Sequence, residues 1–305
     1  MTWKKLGRVY VADGRAKWTY SHAYIPTALL VNDDRIRVYV AFLDRDKVGR
    51  VGYVDVDAKN PLRVLRVSKS PVLDVGRPGT FDDHGVTPIC IIPDQDCFYL
   101  YYVGWQLSEE FRYRLFLGLA ISNDEGETFN RYDSNPVLSP SEQERSIRSA
   151  AHVLRDEGSW KMWYAGGGEW IDLEGKRVPT YQLRYLESDA LMKWGDVGRI
   201  CMEFENNDEF GFGRPFVIKE EGLYRMWYSI RTRSKGYRLG YAESNDGINW
   251  LRKDGEVGID VSSDGWDSEM ICFASIQKTR YGTYMFYNGN NYGETGFGVA
   301  LLSSS

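Results

Sequence analysis

Eight side chains that can transfer protons or bind anions lie just before a proline or alanine that recurs along the chain. The recurring positions are Pro26, Pro88, Ala151, Pro215 and Ala274. The eight side chains are His22, Asp82, Asp83, His84, Arg148, Arg214, Asp267 and Glu269. Because they precede equivalent positions, we expect them to open onto one place in the fold.

Asp83 and Glu269 are the candidate catalytic carboxylates. Cleavage of a glycosidic bond needs one carboxyl group as the acid and a second as the base or nucleophile. Apolar neighbours such as Met270 would raise the pKa of a buried Glu269 toward that of a general acid. The alternatives are that Asp82 and Asp83 cap a turn and that Glu269 forms a salt bridge. Asp267 is expected to contact a substrate or to hydrogen-bond the neighbouring backbone.

His22 and His84 are candidate acid–base residues, since they occupy the same offset before a proline. The alternative is that they hydrogen-bond substrate hydroxyls. No H-x-H spacing occurs, so no metal site is expected. The glycine groups do not follow a strand-to-helix pattern, so neither a phosphate-binding loop nor a cofactor is expected.

Arg148, Arg214 and Arg231 are candidate substrate-binding residues. A guanidinium group binds a carboxylate or phosphate through two parallel hydrogen bonds. These arginines therefore favour an anionic sugar or a nucleotide-linked sugar as the partner. The alternative is that each arginine pairs with a carboxylate of the same chain.

Three aromatic residues that follow strand-like segments, Trp105, Trp170 and Tyr292, are candidates for a sugar-binding platform. Aromatic faces stack on the apolar side of a pyranose ring. The alternative is that they pack between strands of the core.

Five aromatic strand cores position all of these residues. Their central aromatics are Tyr39, Tyr101, Trp163, Trp227 and Phe286, at intervals of 62, 62, 64 and 59 residues. A repeat of strands at this period predicts the blades of a propeller. We therefore expect one all-β domain over 1–305, a five-bladed β-propeller. The N-terminal segment 7–12 would pair with the last blade and close the ring, which removes two open sheet edges.

Two hairpin motifs support the repeat. Ser122 to Phe129 fits S-x-D-x-G-x-T-F, the Asp box of sialidase-like propellers, and Ser244 to Trp250 is related. In such a turn the Asp side chain fixes the loop and the glycine adopts a positive φ. The motif predicts a hairpin at Asp124 and at Asp246 and carries no catalytic information.

The composition narrows the class of protein. The chain has 305 residues, 43% of them hydrophobic, and a net charge of −5, which disfavours a nucleic-acid partner. It has no apolar run of about 18 residues, so no membrane span is expected. No secretory signal is visible, and the four cysteines form no CxxC pair, so we expect a cytoplasmic protein with reduced thiols. The oligomeric state has no signature in the sequence.

The segments Met162-Trp163-Tyr164-Ala165-Gly166 and Gly240 to Trp250 resemble repeats of the five-bladed propeller glycosidases. That group includes arabinanases, β-xylosidases, invertases, levansucrases and mannoside phosphorylases. The resemblance spans essentially the whole chain and implies a carbohydrate-active protein. The carboxylates that the resemblance implies are absent, because the first repeat carries Ser21-His22-Ala23-Tyr24 and the fourth carries Gly213-Arg214-Pro215.

Three hypotheses follow. The first is a glycoside hydrolase or related glycosyl-transferring enzyme with its site in the central channel. The second is a non-catalytic propeller that binds a glycan or nucleotide sugar. The third is a sugar-modifying enzyme of polysaccharide synthesis that uses histidine and carboxylate acid–base chemistry.

Overall fold

The chain folds almost entirely into β-strands. The computed structural model describes residues 1–94, 97–109 and 112–303. The strands of the first half are β1 Trp3–Tyr10, β2 Ser21–Asn32, β3 Arg35–Leu43, β4 Gly49–Asp57, β5 Val64–Val67, β6 Val86–Pro93, β7 Phe98–Leu107, β8 Tyr113–Ser122, β9 Asn130–Arg131, β10 Ile147–Asp156 and β11 Ser159–Gly167. The remaining strands are β12 Trp170–Leu173, β13 Lys176–Pro179, β14 Gln182–Ser188, β15 Arg199–Ile200, β16 Glu209–Glu220, β17 Leu223–Thr232, β18 Arg238–Ser244, β19 Leu251–Arg252, β20 Cys272–Thr279, β21 Gly282–Asn288 and β22 Phe297–Leu302.

In the residues that the structure describes, helical structure is limited to single turns. Two 3₁₀ turns span Lys17–Thr19 and Asp254–Glu256, and a short helical segment, α1, spans Asn290–Gly293. None of the helical turns in the described ranges has the length and apolar character needed to cross a bilayer.

Most strands pair antiparallel with a strand that is next to them in the chain. Three four-stranded sheets have the orders β2-β3-β4-β5, β16-β17-β18-β19 and β1-β22-β21-β20. An eight-stranded sheet contains the antiparallel runs β6-β7-β8-β9 and β10-β11-β14-β15. These two runs join where β8 and β10 pair in parallel at Ile147 with Leu115 and at Arg148 with Phe116. A separate hairpin, β12-β13, follows the third aromatic strand.

The aromatic strands form the centres of these sheets. Tyr39, Tyr101, Trp163 and Phe286 have no exposed surface, and Trp227 is 3% exposed. In β3, every residue from Ile36 to Phe42 is buried, so both faces of the strand are covered. Apart from Arg37, which pairs with Asp55, the run is apolar, as a strand packed on both faces requires.

The first strands of the runs lie next to one another around the interior. β2 contacts β6, β6 contacts β10, β10 contacts β16, β16 contacts β20, and β20 contacts β2. The N-terminal strand β1 pairs antiparallel with the C-terminal strand β22, from Trp3 opposite Leu302 to Tyr10 opposite Phe297. The two ends of the chain therefore share one sheet.

A buried tyrosine–carboxylate–cation contact recurs beside four of the aromatic cores. The tyrosine that directly follows the central aromatic donates its hydroxyl hydrogen to a carboxylate that also pairs with a cation. The sets are Tyr102 with Asp82 and Arg131, Tyr164 with Glu144 and Arg148, Tyr228 with Asp254 and Arg252, and Tyr287 with Asp267 and Lys5. A buried charge that is paired and hydrogen-bonded in this way fixes the strand against its neighbours.

The two hairpin motifs have the hydrogen bonds that their sequences require. Asp124 accepts hydrogen bonds from the hydroxyl groups of Ser122 and Thr128 and from the backbone amide of Thr128. Asp246 accepts hydrogen bonds from Ser244 and from the backbone amides of Ile248 and Asn249. All four cysteines are free.

Candidate active site

A cavity of about 450 Å³ lies where the first strands meet. Tyr24 of β2, Thr87 of β6, Ser149 of β10, Arg214 of β16 and Phe273 of β20 all line it. The volume falls within the range of small-molecule sites, which are usually concave and largely preformed.

Five residues of the first strands that line the cavity adopt a left-handed backbone conformation although none is a glycine. They are His22, Ile25, Ala150, Arg214 and Phe273, with φ values of 61°, 51°, 55°, 51° and 60°. Each lies where its first strand slips register against the next strand. Such bulges redirect side chains, and strained backbone of this kind concentrates at functional sites. The backbone of four strands is thus shaped around the cavity rather than for regular pairing.

His84 and Asp83 form a contact at the cavity wall. Asp83 Oδ1 lies 2.5 Å from His84 Nδ1, and the backbone amide of Gly79 donates to Asp83 Oδ2 at 2.7 Å. The His84 backbone is fixed as well, because its amide donates to the carbonyl oxygen of Trp105 at 3.0 Å. A carboxylate bonded to Nδ1 orients the imidazole and stabilises its protonated form. Nε2 is then the ring nitrogen that remains to exchange a proton.

His22 also lines the cavity and is buried. Burial lowers the pKa of His22, so the neutral ring is the main form near pH 7. Its Nδ1 lies 3.0 Å from the Ser21 hydroxyl oxygen.

Two tyrosine hydroxyl groups meet at the cavity. The hydroxyl oxygens of Tyr181 and Tyr237 lie 2.7 Å apart. Burial raises the pKa of Tyr237 well above its ordinary value, so that hydroxyl group keeps its proton. The Tyr237 ring packs against Tyr292 and Phe273, with ring centroids 5.7 and 5.8 Å away.

Two glycines make room for the Tyr181 ring. A methyl group on Gly211 would lie 2.9 Å from Tyr181 Cζ, and one on Gly213 would lie 3.2 Å from Cε2. The amide of Phe212 donates to the Tyr181 carbonyl oxygen at 2.9 Å. The segment Gly211-Phe212-Gly213 is therefore a backbone platform that holds one tyrosine.

The lining is cationic. It includes Lys47, Arg112, Arg214 and Arg231 besides the two histidines, and no Asp or Glu among the residues that the structure describes. Arg231 lies over the Phe210 ring at 4.7 Å and near the Tyr237 ring at 6.0 Å. Within the described ranges no carboxylate forms an ion pair with Arg231 or with Arg214. An anion in this cavity would meet uncompensated positive charge.

Six of the sequence-predicted site residues line this cavity: His22, His84, Arg214, Arg231, Trp105 and Tyr292. Asp83 lies behind His84, in contact with it. Trp170 is not among the lining residues. Its ring packs against Tyr113, which lines the cavity, with the two ring centroids 5.7 Å apart.

Asp82, Asp267 and Arg148 are buried in internal pairs instead. Asp82 accepts hydrogen bonds from Tyr102 at 2.8 Å and from Arg131 at 2.7 Å. Asp267 accepts from Tyr287 at 3.0 Å and from Lys5 at 2.7 Å. Arg148 pairs with Glu144. These three side chains therefore have side-chain partners within the protein.

Glu269 is exposed and does not line the cavity. Its backbone amide donates to Asn290 Oδ1 at 2.8 Å, and its carbonyl oxygen accepts from Arg238 at 2.8 Å. The structure thus brings Asp83 to the cavity wall through His84 and leaves Glu269 outside the lining.

Sequence reasoning missed the tyrosines of the cavity. Tyr113, Tyr181 and Tyr237 each precede or begin the third strand of a repeat, in a Tyr-x-Leu pattern. Tyr24, two residues after His22, also lines the cavity, as do Lys47 and Arg112. The repeated Tyr-x-Leu was the signal that could have identified three of them.

Solved structures share this fold at low sequence identity. A glycoside hydrolase gives a TM-score of 0.74 at 18% identity over 99% of this chain and 92% of the other. A thermostable family-43 glycoside hydrolase gives 0.72 at 17% identity over 100% and 94%. An endo-arabinase from Bacteroides thetaiotaomicron gives 0.66 at 11% identity over 95% and 97%. The fold is therefore that of these glycoside hydrolases.

No protein-family model matches the chain. Two full-length relatives do match it, the uncharacterized proteins Rv1502 of Mycobacterium tuberculosis strain H37Rv and MT1551 of strain CDC 1551. Each is 34% identical over 304 residues, which is 100% of both chains. The chain therefore belongs to the same family as the uncharacterized protein Rv1502 of Mycobacterium tuberculosis.

Proposed function

We propose that this protein binds an anionic sugar in the cavity and acts on it by acid–base chemistry centred on His84 and Asp83. One observation carries the proposal: the described lining has four cationic side chains and two histidines and no carboxylate. A carboxylate or phosphate on the ligand would supply the missing negative charge.

The same proposal includes the architecture. The chain would be one domain over 1–305, a closed five-bladed propeller in which each antiparallel run is a blade. The cyclic contacts of the first strands and the pairing of β1 with β22 support closure. The cavity would then lie at the axis, where one ligand can reach residues from all five blades.

Two features support a sugar as the ligand. The fold is shared with proteins described as glycoside hydrolases, although fold alone does not fix function. Trp105 and Tyr113 stand together at the cavity wall, with ring centroids 5.2 Å apart, and Tyr292 lies elsewhere in the lining. Aromatic faces of this kind pack on the C–H face of a sugar ring.

The geometry favours His84 over a carboxylate pair. Asp83 is bonded to His84 Nδ1 and so would act through the imidazole, while Glu269 is exposed outside the lining. This arrangement therefore supports the third hypothesis from the sequence, in which a histidine and a carboxylate together transfer the proton.

Calorimetric titration tests the proposal. The ligands are matched pairs, a methyl glucoside with its glucuronide and a methyl galactoside with its galacturonide, together with a nucleoside diphosphate sugar. We expect binding of an acidic member and none of its neutral partner. Arg231→Met should weaken that binding by about tenfold or more, since a charge-assisted contact is worth about 1.5–3 kcal/mol.

The matched variant Arg231→Lys keeps the charge and should bind with an intermediate affinity. Equal affinity for the acidic and neutral members of each pair, or equal affinity of wild type and Arg231→Met, would overturn the proposal. If the protein binds the acidic sugar without any turnover, only the binding part of the proposed function would stand.

A further inference from the structure

Resting on the proposed function, we propose that the reaction is β-elimination from a uronate linked through its O4. His84 removes the proton from C5, Arg231 binds the carboxylate of the uronate, and Tyr181 protonates the leaving oxygen. Tyr181 and Tyr237 are thereby assigned a role that the sequence did not indicate.

The sign of the charge in the cavity decides between elimination and hydrolysis. Hydrolysis of a glycosidic bond passes through a transition state with oxocarbenium character, which carries positive charge. Elimination places negative charge on C5 and on the attached carboxylate instead. The described lining has no carboxylate and contains four cationic side chains, Lys47, Arg112, Arg214 and Arg231. It therefore opposes the positive charge of the hydrolytic transition state and stabilises the negative charge that elimination places on C5 and the carboxylate.

Arg231 is positioned to hold the carboxylate. Within the described ranges it pairs with no acidic side chain, and its guanidinium lies between aromatic rings, 4.7 Å from the Phe210 ring and 6.0 Å from the Tyr237 ring. The aromatic rings therefore orient the guanidinium group, and its positive charge can bind a carboxylate of the ligand. A bidentate contact from this group would bring the uronate carboxylate next to the hydroxyl pair of Tyr181 and Tyr237.

Tyr181 is a preformed proton donor. Its ring rests on the backbone of Gly211 and Gly213, where an added methyl group would lie 2.9 Å and 3.2 Å from it. Its hydroxyl oxygen lies 2.7 Å from that of Tyr237, whose burial keeps it protonated. When Tyr181 gives its proton to the leaving oxygen, the hydrogen bond from Tyr237 stabilises the phenolate that forms. Tyr237 is thus a positioning residue and Tyr181 the catalytic one.

His84 completes the reaction as the base. Asp83 holds Nδ1 at 2.5 Å, which leaves Nε2 to accept the proton from C5 and lets the carboxylate stabilise the imidazolium. No carboxylate needs to enter the cavity for this step.

The step balances without any further reactant. The C5–H bond breaks and its proton moves to His84 Nε2, while the electron pair of that bond forms the C4=C5 double bond. The C4–O bond breaks, and the leaving oxygen takes the proton of Tyr181. The imidazolium and the phenolate then exchange protons with solvent, so nothing is oxidised or reduced.

Two measurements on the intact protein test this inference separately from the proposed function. Calorimetry with a uronate that has a free 4-hydroxyl group and cannot eliminate reports binding alone. Incubation with 4-O-glycosyl and 4-O-nitrophenyl uronates of the gluco and galacto series reports chemistry. We expect a product that absorbs as an unsaturated uronate and that is lighter by one water molecule than a hydrolysis product.

Variants distinguish catalysis from structure. Tyr181→Phe should lower kcat for 4-O-glycosyl substrates by about 10²-fold or more, as loss of a general acid does. It should lower kcat far less for 4-O-nitrophenyl substrates, because nitrophenolate leaves without a proton. Gly211→Ala, whose methyl group would lie 2.9 Å from Tyr181 Cζ and so displaces the Tyr181 ring, should reproduce this pattern. Tyr185→Phe, in which a hydroxyl bonded to Glu187 outside the cavity is removed, is the matched control.

The possible results distinguish a failure of the proposed function from a failure of the elimination mechanism. Absence of uronate binding would overturn the proposed function. Uronate binding with saturated products, with exchange of the C5 proton but no double bond, or with no product at all would overturn the elimination alone. Equal losses of kcat for both leaving groups in Tyr181→Phe would remove Tyr181 as the proton donor.

Discussion

The guanidinium group of Arg214 donates a hydrogen bond of 2.8 Å to the carbonyl oxygen of Pro26, a residue 188 positions earlier in the chain. The other terminal nitrogen donates to the carbonyl oxygen of Ala274 at 2.7 Å. One side chain from β16 thus holds the first strands β2 and β20 at the cavity. Burial lowers the pKa of Arg214 to about 10, so it stays protonated near pH 7.

Replacement of this arginine should cost stability rather than binding alone. In Arg214→Met the two buried carbonyl groups lose their donor, and each unsatisfied group costs about 1–3 kcal/mol. We expect denaturant unfolding to report a loss of about 2–4 kcal/mol. Arg231→Met removes the same charge without breaking a backbone hydrogen bond and should lose less than about 1 kcal/mol. Equal losses in the two variants would contradict this division of roles.

The carboxylates Asp82 and Asp267 should behave as structural residues. Both are buried and bonded to a tyrosine and a cation, and removal of one partner of a buried pair costs about 3–5 kcal/mol. Asp82→Asn should therefore lower the free energy of unfolding by several kcal/mol while the folded fraction binds the ligand normally. Thermal unfolding and calorimetry on one preparation measure both. A weakened affinity at unchanged stability would instead support substrate binding by Asp82.

Asp83 and Glu269 can be compared directly. If Asp83 acts through His84, Asp83→Asn should lower kcat by about 10²–10⁴-fold, because the imidazole loses its orienting carboxylate. Steady-state kinetics of Asp83→Asn and Glu269→Gln on the same substrate make the test. A loss in Asp83→Asn alone supports the His84 site. Comparable losses in both variants would favour the paired-carboxylate hydrolysis that the sequence first suggested.

Much of the framework could be predicted because aromatic strand cores are local signals. Tyr101, Trp163 and Trp227 lie at the centres of buried strands, as their spacing indicates. The direction of a side chain near the cavity was harder to predict. Asp82 and Asp83 are adjacent, yet Asp82 faces Tyr102 inside the sheet and Asp83 faces His84 at the cavity wall.

The tyrosines of the cavity show a second limit. Tyr181 and Tyr237 are 56 residues apart, and the Tyr-x-Leu pattern that they share does not indicate that their hydroxyl groups meet. Their contact depends on the close approach of Tyr181 to Gly211 and Gly213, which a single strand pattern does not encode. Likewise, the tyrosine that follows the central aromatic in four of the cores could not be paired with Asp82, Glu144, Asp254 or Asp267 from spacing alone.

His152 should make the protein sensitive to acid. Burial lowers the pKa of His152 from its ordinary value of 6.5 to about 3. Because the unfolded chain binds a proton below pH 6.5 and the folded protein does not, stability falls as the pH drops from about 6.5 toward 3. Between pH 7 and pH 5 this group accounts for about 2 kcal/mol. His152→Gln should unfold with a correspondingly flatter pH dependence, measured by urea titration at both values. Parallel pH profiles for wild type and variant would contradict the assignment.

The left-handed positions around the cavity should store strain that glycine can release. Ala150 has a φ of 55°, and for a residue with a Cβ atom that conformation costs about 1–2 kcal/mol. Glycine adopts it freely but loses about 0.5–1 kcal/mol through the greater freedom of the unfolded chain. Ala150→Gly should therefore be neutral or more stable by up to about 1 kcal/mol.

The adjacent Ala151 is fully buried and has no left-handed φ, so Ala151→Gly should lose about 1 kcal/mol instead. Urea unfolding of the two variants gives the comparison, and a similar loss in both would mean that Ala150 carries no strain. If Ala150→Gly gains stability but loses turnover, the strained backbone is part of what shapes the cavity for its ligand.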